Sequence, residues 1–241
     1  MLKVFKNEQL VAEAIAKEMR MGLTVDHPVF CLASGSTPAK GYELFAESMT
    51  ESNLLDKLKI VSLDEWVGIP ASNVGSCYQM LNQELFHKID LKAEQIVFYD
   101  GTAANLEVEC ARIDDFIEEN PITFSLMGVG MNGHIGLNEP GFQMLESSSV
   151  VPLSDTTKRV AQKYFEEETL LKQGITLGLT QIINSRRVIV VITGAHKAEI
   201  VREIFSDVGQ TLPAGRLLGY EHIDFYLDQA AAKYLNEKEV S

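Results

Sequence analysis

The sequence predicts an α/β protein built on one open, mostly parallel sheet with helices on both faces. Three observations carry that expectation. Short apolar runs of strand length recur along the chain, and helical patterns separate them. The glycine-rich and hydroxyl-rich segments fall directly after apolar runs, where loops of a parallel sheet gather.

Leu10, Val11, Ala14, Ile15 and Met19 recur at helical spacing, so a first amphipathic helix is expected to end near Gly22. Residues 29–33 are apolar throughout, the mark of a strand buried on both faces. Residues 34–38 interrupt that run, and a helix is expected over 40–48. A second strand is read at 59–63, followed by a helix over 78–86. A third strand at 95–99 stops at Asp100-Gly101, and an acid-rich helix spans 105–118. Residues 123–127 form a fourth strand that runs into the glycine-rich stretch 128–141. The β-branched run 188–192 is a further strand, with a helix starting near His196. A last strand covers 222–227, and Asp228 is expected to cap a terminal helix through Leu235.

Across its 241 residues the chain shows no repeat and no Pro/Gly/Ser-rich linker, so residues 1–241 are read as one domain. The least regular span, 145–173, holds a helical piece at 158–165 and is the candidate lid. A net charge of −13 disfavours nucleic acid and anionic membranes as partners. Cys31, Cys77 and Cys110 are widely spaced and odd in number, matching neither a disulfide framework nor a zinc site. The first residues lack the apolar core of a signal peptide, and no apolar run approaches the ~20 residues of a membrane span. A soluble, cytoplasmic protein is expected.

Four segments that follow predicted strands hold the unusual residues. Ser34-Gly35-Ser36-Thr37-Pro38 offers backbone N–H groups and hydroxyls at a helix start, suited to an oxyanion or to plain helix capping. Thr193-Gly194-Ala195-His196-Lys197 sets a lysine at another helix start, against the dipole, which a bound anion would explain. The two loops together predict a phosphate held from two sides.

Asp64-Glu65-Trp66 ends a strand with two acids, and alternation lets only one of them face a crevice. A carboxylate beside Trp66 and Val67 is a candidate general base, with a solvated acidic turn as the alternative. Gly128-Val-Gly130-Met-Asn-Gly133 matches the dinucleotide fingerprint formally. The following glycines and Pro140 cannot start a long helix, and no acid closes a second strand about 20 residues on. The same stretch gathers Asn132, His134, Asn138 and Glu139 on compact backbone, so a base–orienter pair is the sharper reading. No Gly-x-Ser-x-Gly elbow is present, and no two histidines sit at metal-ligand spacing.

At these residues the chain resembles the glucosamine-6-phosphate deaminase (isomerase) family, within the group that includes 6-phosphogluconolactonases. The resemblance rests on Leu32–Pro38, on Ser62–Gly68, on Gly128–Gly141, on Gly174–Gly178 and on Thr193–Lys197. Gly-His-Ile-Gly-Leu-Asn-Glu-Pro-Gly marks the deaminases, whereas lactonases resemble Gly-His-Thr-Ala-Ser-Leu-Phe-Pro and carry Asp-Glu-Arg in place of Asp64-Glu65-Trp66. The implied fold is the Rossmann-like sheet of that group. The implied reaction opens a 2-amino-2-deoxyhexose 6-phosphate, isomerises it and releases ammonia hydrolytically, with no metal or organic cofactor.

By that resemblance Asp64 moves the C2 proton to C1, and His134, supported by Glu139 and oriented by Asn132, opens the ring. Ser34, Gly35, Ser36, Thr37 and Lys197 hold the phosphate. A phosphate-binding arginine of the family falls on Lys163, which keeps the charge and loses the bidentate fork. Asp64-Glu65-Trp66, Gly75-Ser-Cys77 and Gly174–Gly178 resemble the galactosamine-6-phosphate branch more than the glucosamine branch, so galactosamine 6-phosphate is the favoured substrate. Glucosamine 6-phosphate, then a 6-phosphogluconolactonase activity, then a non-catalytic sugar-phosphate sensor are the alternatives. Pro213-Ala-Gly215 and Tyr220 depart from the family's later pattern, and the chain is left as a monomer or a homo-oligomer.

Overall fold

The computed structural model describes residues 1–49 and 53–235. The chain opens with β1 (Leu2–Phe5) and α1 (Glu8–Gly22), then β2 (Val29–Leu32) and α2 (Ser36–Glu47). Next come β3 (Lys59–Ser62), β4 (Asp64–Trp66), α3 (Cys77–Glu84), β5 (Ile96–Val97) and α4 (Leu106–Glu119). The second half runs through β6 (Phe124–Gly128), β7 (Ser149–Pro152), α5 (Asp155–Ala161) and β8 (Gln173–Thr176). It finishes with α6 (Leu179–Ile183), β9 (Val188–Ile192), α7 (Ala198–Ile204) and β10 (Ile223–Asp228).

Seven strands form a parallel sheet in the order β1-β10-β9-β6-β2-β3-β5. Because strand residues alternate between faces, this sheet carries two cores. Phe30, Leu32, Ile60, Leu126 and Ile189 meet Val11, Ile15, Tyr42, Phe45 and Leu81 of α1, α2 and α3. Cys31, Val61, Met127, Val188 and Val190 meet Ile113, Ile182, Val201 and Ile204 of α4, α6 and α7. Helices therefore cover both faces, as expected. Side-chain caps start several of them: Asn7 accepts the Leu10 N–H, Asn105 the Glu107 N–H and Ser76 the Gln79 N–H.

The chain winds from β2 through β3 to β5 in one direction, then returns to β6 on the other side of β2. The strand order thus reverses between β2 and β6, the position where open parallel sheets bind ligands beyond the carboxyl ends of their strands.

Four details differ from the sequence reading. The edge strand β1 is additional, pairing Leu2–Phe5 with Phe225–Asp228 of β10. The strand expected at 95–99 shortens to β5, which pairs only with Ile60 and Val61 at the sheet edge. Near His196 the chain forms a 3-10 turn, Ala195–Lys197, before the short α7. The terminal helix is absent: residues 229–234 form turns, although Asp228, the last residue of β10, makes the expected capping bond to the Ala231 N–H and shares the same oxygen with the Gly194 N–H.

The candidate lid span is also more regular than expected. It supplies β7, α5 and a 3-10 turn over Gln162–Tyr164, and it ends at the start of β8. β4, β8 and β7 form a second, antiparallel sheet of three strands. Asp64 pairs with Thr176, Glu65 with Ile175 and Trp66 with Gly174, and β8 pairs in turn with β7. Among the described residues no helix is long and apolar enough to cross a membrane.

Candidate active site

A cavity of about 310 Å³ opens at the strand-order reversal. Its walls come from the loop after β2, from β4, from the loop after β6, from the turn after β9, and from α5 with the turn behind it. Ser34, Gly35, Ser36, Thr37, Asp64, His134, Lys163 and Lys197, all singled out in the sequence, line this one space. Asn132 and Glu139 stand behind His134 rather than on the wall.

α2 begins at Ser36, earlier than the periodicity implied, so Ser36 and Thr37 occupy its first turn and Pro38 its third position. The unpaired N–H groups of that turn face the cavity end of the helix. Gly35 holds φ +105°, a left-handed conformation that glycine adopts without penalty. The Tyr164 hydroxyl lies over it, 3.0 Å from where a Cβ on Gly35 would stand. Beneath the loop the Glu84 carboxyl takes the Gly35 N–H, and burial pushes its pKa up to about 7.

Lys197 reaches in from the other side. It is buried, and its Nζ donates to the Val129 carbonyl at 2.6 Å. Burial, helped by the positive charge of Lys163, lowers its pKa to about 8. The ammonium is therefore predominantly charged at neutral pH, and an anion beside it would relieve its desolvation.

The two acids of β4 part company as alternation requires. Asp64 lines the cavity, while Glu65 turns into the protein at 1% exposure. The Glu65 carboxylate accepts N–H groups from Trp66 at 2.8 Å, Cys77 at 2.9 Å and Tyr78 at 3.0 Å. It thereby ties the start of α3 to β4. Burial pushes Glu65 up to about 7 against those three donors, with the Asp64 charge adding to the rise. Asp64 itself is raised to about 6 by burial, which a hydrogen bond from the Cys77 thiol opposes. A carboxylate poised there is a usable base at neutral pH.

His134 sits on the glycine-rich loop after β6. Its ring packs over Gly130, where a Cβ would fall 2.1 Å from the imidazole Cε1, so only glycine leaves room for it. Nδ1 lies 2.7 Å from Asn132 Oδ1, and Asn132 Nδ2 donates to Glu139 Oε2 at 2.7 Å. A carboxylate only accepts, so the Asn132 amide must turn its NH2 toward Glu139 and its oxygen toward His134. Nδ1 then carries the ring hydrogen, and Nε2 is left with a lone pair.

Glu139 Oε1 accepts the Thr157 hydroxyl at 2.5 Å and the Ser154 N–H at 3.2 Å. Burial disfavours the Glu139 charge, but these donors, His134 and Asn132 outweigh it and hold the carboxyl below its ordinary range. For His134 burial dominates, and Lys197 adds to it against the pull of Glu139, so the imidazole titrates below its usual value.

Thr157, Tyr164 and Cys77 also line the cavity, and the sequence reading assigned them no role. Their residue types are uninformative without a partner. The one local sign is the Ser154-x-x-Thr157 spacing, in which Ser154 caps α5 through the Thr157 N–H at 3.1 Å.

A family model described as glucosamine-6-phosphate isomerases/6-phosphogluconolactonase matches residues 6–224. The chain belongs to that family. Among its curated relatives, glucosamine-6-phosphate deaminase of Streptococcus pyogenes serotype M18 is 33% identical over 207 residues, covering 85% of this chain and 86% of the relative. The glucosamine-6-phosphate deaminase of Halalkalibacterium halodurans is 32% identical over 204 residues, covering 83% of each chain. The structure of a monomeric glucosamine-6-phosphate deaminase superposes with a TM-score of 0.90 at 27% identity, over 96% of this chain and 98% of that one. The 6-phosphogluconolactonase of Trypanosoma brucei shares the fold, with a TM-score of 0.73 at 24% identity, over 98% of each chain. Membership makes this protein an enzyme of a family whose members share the single-domain sheet described above.

Proposed function

We propose that this enzyme isomerises and deaminates a 2-amino-2-deoxyhexose 6-phosphate, giving a ketohexose 6-phosphate and ammonia. The observation that carries the reading is that a raised carboxylate, Asp64, and an imidazole with a free Nε2, His134, line one cavity with an anion cradle. The cradle is the α2 start with Ser34, Gly35, Ser36 and Thr37, backed by Lys197 and, from the lid, Lys163.

His134 Nε2 accepts the proton of the anomeric hydroxyl and returns it to the ring oxygen as the C1–O5 bond breaks. Asn132 and Glu139 keep the ring turned for this transfer. Asp64 removes the C2 proton of the open aldose as O1 takes up a proton, giving an enolamine. It then delivers the carbon-bound proton to C1 as the amino nitrogen gives one up. The net exchange is C2 hydrogen to C1 and nitrogen proton to O1. The C2 imine that results adds water and expels ammonia. Each proton lost from carbon returns to carbon, so Asp64 ends the cycle ionised.

Galactosamine 6-phosphate is the preferred epimer in this reading. Its support is the resemblance of 64–66, 75–77 and 174–178 to that branch, together with their position. β8 pairs directly with β4, and Cys77 hydrogen-bonds Asp64, so the three segments meet around the base. The reading that favours glucosamine 6-phosphate draws on the relatives, which carry that name.

Ammonia release from both epimers, with 6-phosphogluconolactone turnover in parallel, tests the proposal. Deamination with the higher kcat/KM on the galacto epimer is expected. Lactone turnover without ammonia would overturn it. Asp64→Asn is expected to abolish exchange of the C2 proton with solvent while leaving substrate binding largely intact.

A further inference from the structure

Thr157 sits where the lid span meets the histidine. Its hydroxyl lies on α5, buried, 2.5 Å from Glu139 Oε1 and 3.3 Å from His134 Nδ1. A hydroxyl has one hydrogen, and here the carboxylate takes it. Ser154 Oγ donates to Thr157 Oγ1 at 3.0 Å, so toward Ser154 and toward His134 Thr157 presents only lone pairs.

Both oxygens of Glu139 are thus engaged by neighbours other than the imidazole. Oε1 takes Thr157 and the Ser154 N–H, and Oε2 takes Asn132. The closest approach of the carboxylate to the ring, Oε2 to Nδ1, is 3.7 Å, beyond a hydrogen bond. A carboxylate free to swing would shorten that gap and form a direct ion pair with a protonated ring, because the site is buried and the opposite charges attract strongly there. Lys197 is the other charge acting on the ring, and Asp64, Lys163 and His196 line the same cavity.

We propose that Thr157 is a positioning residue that spaces Glu139 from His134, keeping the imidazole neutral with Nε2 free to accept a proton. The inference extends the function proposed above by placing part of the control of His134 on the lid helix. When α5 is docked, Ser154 and Thr157 restrain the carboxylate.

Long-range proton–nitrogen correlation spectra of 15N-histidine protein, with His134 assigned through His134→Gln, test this without any assay of turnover. The wild-type ring should be neutral at pH 7 with its hydrogen on Nδ1. Thr157→Val should shift the His134 titration midpoint upward by about one pH unit, and Thr157→Ser should restore it. On the aminosugar phosphate, Thr157→Val should lower kcat by no more than about threefold at pH 7, the loss of neutral imidazole that a one-unit rise allows, with little change in KM, and move the optimum to higher pH. Should Thr157→Val fold poorly, Thr157→Ala supplies the same comparison. A wild-type ring protonated at Nε2 only, or an unchanged midpoint in a folded Val or Ala variant, would overturn the proposal. Absence of ammonia release would remove the functional reading and leave the titration result standing.

Discussion

The side-chain amide of Asn132 donates to Glu139 at 2.7 Å and, through its oxygen, takes the Nδ1 hydrogen of His134 at the same distance. A neutral amide therefore relays orientation from a carboxylate to the imidazole without adding charge. In Asn132→Asp two carboxylates face each other at that spacing, and the second charge lies directly against Nδ1. Like charges this close titrate as a coupled pair, and the negative field favours imidazolium. The expected result is a rise in the His134 midpoint, read by NMR titration, with a fall in kcat at pH 7.

In the proposed mechanism three groups shape the pH profile: Asp64 and His134, which must both be unprotonated, on the acid side, and Lys197 on the alkaline side. Asp64, the proposed base, must be ionised and is held near 6, so activity should fall at least tenfold per pH unit below that value. Lys197, proposed to hold the phosphate as the ammonium, is held near 8, so KM should rise as pH climbs through that value. Lys197→Met should remove the alkaline rise in KM and raise KM throughout, with kcat changed less. Initial-rate kinetics across pH 5–9 (an assay range of about four units around those values) distinguish the two limbs.

Gly130→Ala tests the close approach of backbone to imidazole. A methyl group there meets the His134 ring, which must shift by more than an ångström to clear it. A loss of about 100-fold in kcat is expected on the ring-closed sugar. A pre-opened or non-cyclising substrate analogue should be affected far less, because in the proposed mechanism the displaced group serves ring opening. Near-wild-type rates on the cyclic sugar would contradict the role given to His134.

At the opposite end of the sheet, Arg187 pairs with Glu18 at 3.1 Å and with Asp224 at 2.7 Å, while the N-terminal amine and Lys3 also reach Asp224. These contacts join α1, β10 and the start of β9, far from the cavity. Arg187→Met leaves Glu18 and Asp224 short of their strongest partner and should cost about 3 kcal/mol. In thermal denaturation that is a fall of roughly 6–12 °C in Tm. Asp224 is held well below its ordinary pKa, so the stabilisation is complete above the unfolded value and is lost as pH falls toward the folded one. The wild type and Arg187→Met should therefore converge in stability in acid.

Much of this protein was legible in its sequence because the deciding physics is local. The uninterrupted apolar runs of β2 and β9 require burial on both faces, which implies a parallel sheet layered between helices. Loops placed after such runs collect at one edge, which by itself places Ser34, Asp64, His134 and Lys197 at a common site. The parity of a strand foretold that one of Asp64 and Glu65 faces the crevice and the other serves the framework.

Tertiary structure alone decided the rest. β4 is three residues long and is a strand only because β8, more than a hundred residues away, pairs with it. The expected terminal helix does not form even though Asp228 makes its capping bond to the Ala231 N–H, and the same oxygen also takes the Gly194 N–H from across the fold. Thr157 and Tyr164 have no distinguishing pattern, and Cys77 belongs to one that gave it no role; their importance comes from what packing places opposite them. Periodicity and turn chemistry are properties of a segment, whereas the state of a carboxylate or an imidazole depends on burial and on partners brought from distant parts of the chain.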